Sequence, residues 1–321
     1  MRTIAMRIAS LLLYLCLFAI HLPLTAQADD LRWATATKGG GFQLFGQHAI
    51  AAINAQDPDL GVVELPSKGS RQNLRLLQSG EADIGQVEGN AARIALEGIG
   101  TPKVDLKVLA VMYPNPGMFV VPTDSPATNI DHLKGQPIAF GTQASGLRIL
   151  ARDVLSGLDL DPEKDFQQII LGKAADGPRL VLDGKAAALW GAGIGWPGFV
   201  AVADSPAGAR FIAPSSAQIE RIRTRHPHLQ PMTVPANTYT GQTQPIDSVG
   251  LWSLILVRPD LDDAIAYRLA RALHLAQPQL AGELPQAGYT TPDNTLRYVG
   301  KERLHPGAAR YLGGLETALP D

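Results

Sequence analysis

Apolar positions along this chain switch repeatedly between a strand-like period of two and a helical period. Alternation over residues 31–37 gives way to a helical pattern over 43–54. A second strand at 62–65 leads into another helix, whose apolar face is Leu74 and Leu77. Ser70 reads as the N-cap of that helix and Gly80 as the left-handed residue that closes it. Residues 82–87 form the next strand, which runs out into Gln86, Glu88 and Asn90. That is an odd finish for a core element, and in open α/β sheets small ligands sit beyond the carboxyl ends of strands. Residues 91–97 are helical. Apolar strands at 106–112 and 118–121 are joined by the rigid elbow Tyr113-Pro114-Asn115-Pro116-Gly117, which reads as a crossing between lobes. A fresh series follows, with strands at 137–140, 166–171 and 186–190 and helices at 147–155, 179–182 and 217–224. One long apolar strand at 248–257 is expected to return the chain to the first lobe, ahead of helices at 264–275 and from 304 onward. Strands alternating with helices throughout predict an α/β fold of two lobes.

Three turns carry candidate chemistry. In Thr37-Lys38-Gly39-Gly40-Gly41-Phe42, between a strand and a helix, glycines let backbone approach a ligand and leave helix N–H groups available to an anion. No Gly-Lys-Ser/Thr follows, so this is not a P-loop, and the dinucleotide spacing is missing too. Lys68-Gly69-Ser70 and Gly141-Thr142-Gln143-Ala144-Ser145-Gly146 repeat the logic, with small residues and hydroxyls ahead of a helix. Two such helix ends can share one carboxylate, each contributing about 0.3–1 kcal/mol when exposed and up to about 2 kcal/mol when partly buried. Lys173 reads as an exposed lysine, with pairing to an acid as the alternative. Trp190 and Gly191 end a strand. The glycines that follow resemble a nucleotide turn only superficially, since Pro197 comes at once and no acidic residue sits at the ribose-reading distance. A buried Trp190 is the simpler account, with stacking on a ligand left open. His226-Pro227-His228 reads as a surface loop, because proline forces an extended turn and no third ligand is near in sequence.

The N-terminus adds a compartment. Arg2 and Arg7 precede a short apolar run over 8–20, and Ala26-Gln27-Ala28 supplies a small-x-small cleavage box, so residues 1–28 are expected to be a secretory signal peptide cut after Ala28. The run is too short to cross a bilayer comfortably, and no later run is long enough, so no membrane insertion of the mature chain is expected. The single cysteine, Cys16, falls within the leader, which excludes disulfides, thiol catalysis and thiolate metal sites from the mature chain. With the two leader arginines removed, 26 basic residues face 30 acidic ones, a formal charge of −4. That argues against nucleic acid or an anionic membrane as partner.

Read in order, several motifs resemble the TAXI family of TRAP-transporter solute-binding proteins. They are the turn Gly39-Gly40-Gly41-Phe42, Lys68-Gly69-Ser70 with Asn73-Leu74, Ser79-Gly80-Glu81-Ala82-Asp83-Ile84, Asp131-His132-Leu133-Lys134-Gly135, Ser145-Gly146, Pro235-Ala236-Asn237-Thr238-Tyr239 and Leu304-His305-Pro306-Gly307-Ala308. The resemblance implies a type II periplasmic-binding-protein fold: two α/β lobes, two crossing strands and one solute in the cleft. It assigns residues 29–120 and 236–321 to the first lobe and 121–235 to the second. Two departures stand out. The first turn lacks the Gly-Thr-Tyr-Tyr-like ending, and Glu88 brings a carboxylate that would repel an anionic solute or pair with its amine. Trp190 with Trp196 makes the cleft more aromatic than an amino-acid site needs.

The expected function is capture of a small anionic organic solute, an amino acid or carboxylate, and its delivery to a membrane-embedded TRAP permease in the periplasm. Backbone at Gly40, Gly41 and Phe42, at Gly69 and Ser70, and at Ala144, Ser145 and Gly146 would hold the carboxylate. Lys68, Gln86, Glu88, Asn115, Thr142, Trp190 and Gly191 would shape the rest. Alanine at Ser145 or Trp190 is expected to weaken binding and leave folding intact. An ABC-importer receptor of the same fold and a ligand-sensing module are the alternatives. No Gly-x-Ser-x-Gly, His-Glu-x-x-His or metal-spaced histidines are present, so an enzyme is not expected, nor a cofactor or metal. A monomer is the default.

Overall fold

The computed structural model describes residues 30–316; the expected signal peptide, Cys16 included, lies outside the described residues. Among these, two five-stranded sheets and a two-stranded ribbon form. The first sheet runs β2 (Val62–Leu65), β1 (Leu31–Ala34), β3 (Ile84–Val87), β12 (Trp252–Val257), β4 (Lys107–Pro114). The second runs β7 (Gln167–Leu171), β6 (Pro137–Thr142), β8 (Ala188–Ala192), β5 (Gly117–Val121), β9 (Arg210–Ile212). Each is parallel through its first three strands and antiparallel where β12 or β5 enters. Both sheets therefore share one plan, and the strand in fourth place arrives from the other lobe. This is the expected α/β fold of two mixed sheets.

The central strands read as near-continuous apolar runs because helices cover both faces. Every residue of β3, β5 and β8 is buried. The first lobe packs Trp33, Phe45, Ile53, Leu109, Met112, Ile255 and Leu273 into one core. The second sheet carries a core on each face, around Phe119, Phe140 and Trp190 on one side and Met118, Leu189 and Phe199 on the other.

The helices that bear on the cleft are α1 (Gly41–Gln56), α2 (Ser70–Gln78), α3 (Gly89–Glu97), α4 (Leu147–Ser156), α5 (Asp176–Leu182), α6 (Pro197–Ala203) and α7 (Ser216–Arg225). A longer helix, α8 (Asp263–Glu283), starts on Asp262, whose carboxylate accepts from the Ala264 and Ile265 N–H groups, and packs against α1.

The return crossing differs from expectation. The single strand anticipated over 248–257 divides at Leu251: β11 (Ile246–Gly250) pairs with β10 (Gln230–Val234), and only β12 joins the first sheet. Tyr239 and Val249 sit in the second lobe's cores. The chain thus changes sheets at 114–117, within the elbow that the sequence marked as a crossing, and at 250–252, whereas the lobe assignment drawn from the resemblance had its boundaries at 120 and 235. At these points the Asn115 N–H and its side-chain amide both donate to the Leu251 carbonyl, at 3.1 and 3.0 Å, and the amide also reaches Ser253 Oγ at 2.8 Å. The two crossings press together so closely that a Cβ on Gly250 would lie 1.8 Å from the Asn115 carbonyl oxygen.

Candidate functional site

Three helices begin at one place between the lobes. The N-cap residues of α1, α2 and α4 are Gly40, Gly69 and Gly146, and none has a side chain to cap its helix. The positive ends of their dipoles face a shared cavity of ≈ 70 Å³, although the first α4 N–H, that of Leu147, is taken by Ser145 Oγ at 3.2 Å. Gly69 is left-handed at φ 112°, which places Ser70 at the first helical position instead of the expected N-cap. Asn73 fixes that turn. Wholly buried, it donates its amide to the carbonyls of Thr35 at 2.8 Å and Gln86 at 2.7 Å, and accepts from Ser67 Oγ, which in turn accepts from the Gly69 N–H. One side chain thereby ties β1, β3 and the α2 turn into a single unit.

Ser70 continues the chain of contacts, its hydroxyl accepting from the Glu88 N–H at 3.1 Å. Glu88 caps α3 and accepts from the N–H groups of Asn90 and Ala91 at 3.0 and 3.3 Å. It is 2% exposed, and burial pushes its carboxyl up to about 8, against the pull of those N–H donors. Near neutral pH the protonated form is therefore favoured.

The described conformation is closed. The Arg71 N–H donates to the Ala144 carbonyl at 3.1 Å and Thr142 Oγ1 to the Lys68 carbonyl at 3.2 Å. On the other side of the cavity, the Ala175 N–H donates to the Lys38 carbonyl at 3.2 Å and the Ala174 N–H to Thr37 Oγ1 at 3.1 Å. Contact across the cleft is tight: a Cβ on Gly39 would come within 2.5 Å of the Ala175 Cβ, and one on Gly146 within 2.4 Å of the Glu88 Cβ.

Of the residues expected at the site, Gly40, Gly41, Phe42, Lys68, Gly69, Ser70, Glu88, Asn115, Thr142, Ser145 and Gly146 line this cavity together. Four do not. Ala144 lies in the seam, with its carbonyl occupied by Arg71. Gln86 is fully buried behind Glu88, with both amide atoms unpaired. Gly191 gives room to the rings of Trp196 and Phe199. Trp190 is wholly buried against Phe119, its ring centroid 4.8 Å away, and its indole N–H donates to the Leu147 carbonyl at 2.9 Å. It supports the start of α4 from below and stacks on nothing in the cavity, so its truncation should damage folding, contrary to the sequence expectation. The aromatic wall is built by Trp196 and by Tyr113, which sequence reasoning treated only as part of the elbow. Tyr113 is 2% exposed, and burial raises its phenol well above the ordinary range. Its place immediately before the proline elbow, at the end of a crossing strand, was the available signal. Lys173 is exposed and pairs with Asp176 at 4.0 Å.

Two lobes built on one sheet plan, joined by two short crossings and closed over a cavity of helix N-termini, define the periplasmic-binding-protein class of fold. The chain belongs to the NMT1-like family, whose model matches residues 33–313. Among solved structures it is similar to a protein from Bordetella bronchiseptica RB50, at 15% identity and a TM-score of 0.53, over 92% of this chain and 91% of that one. It is also similar to the alkanesulfonate-binding protein SsuA from Xanthomonas axonopodis pv. citri bound to MOPS, at 17% identity and a TM-score of 0.50, over 88% and 83% of the respective chains. At such identities the likeness is one of fold. Among the described residues no helix is long and apolar enough to cross a membrane.

Proposed function

We propose that this chain is a periplasmic receptor that closes its lobes on a small anionic organic solute and delivers it to a membrane permease of the TRAP type, as the TAXI resemblance implies. The observation that carries this reading is the meeting of three helix N-termini with glycine at the N-cap, two from the first lobe and one from the second, in one cavity. An anion there is held from both sides, so binding and closure reinforce each other. The repulsion expected from Glu88 is relieved because burial favours the neutral form of its carboxyl. Tyr113 and Trp196 supply the apolar wall, and the small cavity selects against bulky solutes.

The likeness to an alkanesulfonate-binding protein makes a sulfonate the second ligand class, and the ABC importer weighed from the sequence is the second destination. A thermal-shift screen of residues 29–321 against amino acids, carboxylates and sulfonates separates the ligand classes. A ligand at 100 times its dissociation constant adds about 2.7 kcal/mol to the folded state, a shift of several degrees in a chain of this size. A response to one anionic class supports the receptor reading. No response, with no small molecule released on denaturation, would overturn it. Co-purification with either permease type decides the destination.

A further inference from the structure

The motif His226-Pro227-His228 acquires in the fold what it lacked in sequence. Residue 226 is the C-cap of α7, at φ −125°, ψ 70°, and opens a turn through Pro227 and His228 that the Leu229 N–H closes onto the His226 carbonyl at 2.9 Å. Both imidazoles face α4, where the His228 Nε2 lies 3.0 Å from Asp153 Oδ2. Ser156, one turn further along the same helix, contacts His226 Nε2 through its hydroxyl at 2.9 Å. The ligand atoms of Asp153, His226 and His228 all lie within 4.8 Å of one another.

We propose that these three residues form a binding site for a divalent transition-metal ion of the zinc class, on the second lobe and independent of the solute reading. Two imidazoles and one carboxylate are a borderline-soft donor set that suits zinc over calcium or magnesium and leaves a fourth position for water. Tetrahedral zinc, with bonds of about 2.0–2.2 Å, sets its ligands about 3.3 Å apart, so the widest pair need close by no more than about 1.5 Å, within reach of side-chain rotation. The side chains of His228 and Asp153 are 19% and 17% exposed, open enough for entry and shielded enough to limit competing water. Two cations, Arg225 and Arg93, lie near His226. Arg225 is itself paired with Asp159, and Arg93 with Glu97. The ion would clip the end of α7 to the helix whose other end forms the solute cavity.

Titration of chelator-stripped protein, residues 29–321, with Zn2+ tests this. Binding should saturate at one equivalent and raise the melting temperature. Asp153→Asn and His228→Gln should each weaken it at least tenfold while the metal-free melting temperature holds. Co2+ should give a visible d–d absorption that Asp153→Asn abolishes, a readout that stands even if a histidine variant folds poorly. Equal Zn2+ affinity in wild type and both variants, no saturation at one equivalent, or an unchanged Co2+ spectrum in Asp153→Asn would overturn the proposal.

Discussion

Substitution of Gly146 by alanine separates closure from folding. Gly146 has φ −63°, ψ −26°, which alanine adopts without strain, and loss of glycine's freedom in the unfolded chain should stabilise the protein by about 0.4–1 kcal/mol. The new Cβ, however, would lie 2.4 Å from the Glu88 Cβ and 2.9 Å from Ser70 Oγ in the closed form. Ordinary carbon contact requires about 3.5–4 Å, so the lobes must part by about 1 Å at this point. The hydrogen bonds from Arg71 N–H to the Ala144 carbonyl, and from Thr142 Oγ1 to the Lys68 carbonyl, span the same gap at 3.1 and 3.2 Å and would be lost or stretched. At about 0.5–1.5 kcal/mol each, their loss costs the closed state about 1–3 kcal/mol, or roughly 5- to 150-fold in solute affinity. Isothermal titration with the solute identified by screening reads the affinity, and a melt without solute reads stability. The expected pattern is opposite in sign: affinity down, apo melting temperature level or slightly up. Affinity within twofold of wild type would refute the steric account of closure.

Three further outcomes follow from the geometry. Gly250→Ala drives a methyl to 1.8 Å from the Asn115 carbonyl and should cost about 1–3 kcal/mol or more by forcing the crossings apart; an unchanged denaturation midpoint would sink that account. Glu88→Gln tests the buried carboxyl through pH. With its folded value near 8 and its ordinary value 4.5, the folded chain binds more protons between them, so Glu88 lowers stability as pH rises from about 5 to 8, by at most about 1.4 kcal/mol per unit. Glutamine removes that slope, and wild-type and variant stabilities that run parallel across this range would contradict the shift. Trp190→Ala should destabilise by about 3–5 kcal/mol, seen in chemical denaturation, whereas Trp190→Phe should lose chiefly the hydrogen bond to the Leu147 carbonyl. A Trp190→Ala variant that folds normally but binds weakly would restore this ring to the cavity.

Local pattern made much of the fold legible. The strand-to-helix turns at Gly39–Phe42, Lys68–Ser70 and Gly141–Gly146 were found because glycine and hydroxyl residues at a helix start have a local cause, and these same turns meet at the cavity. What sequence could not give was direction across a sheet. Trp190 and Trp196 looked equivalent as aromatic neighbours of glycines. Yet Trp190 lies within β8 and points into a core, while Trp196 leads into α6 and faces the cleft. The break at Leu251 was hidden because Val249-Gly250-Leu251-Trp252 runs without a polar side chain straight across it, and only the pairing of β11 with β10 divides the two strands. Asp153 was invisible as a neighbour of His228 because the two are joined by tertiary packing of α4, not by spacing.

The character of the latch bears on where solute identity is decided. All four hydrogen bonds that close the cleft use backbone on at least one side, and two use it on both. Such a latch tolerates change in most side chains and demands only that Gly39, Gly69 and Gly146 stay small, since each abuts the opposite lobe where a Cβ would stand. The helix N-termini are likewise backbone features, which attract negative charge without distinguishing one anion from another. Discrimination is then left to the few side chains that reach the cavity, chiefly Tyr113, Trp196 and Glu88. A change of solute class should be achievable by substitution at those positions with the latch intact, whereas loss of a latch glycine should weaken every solute alike.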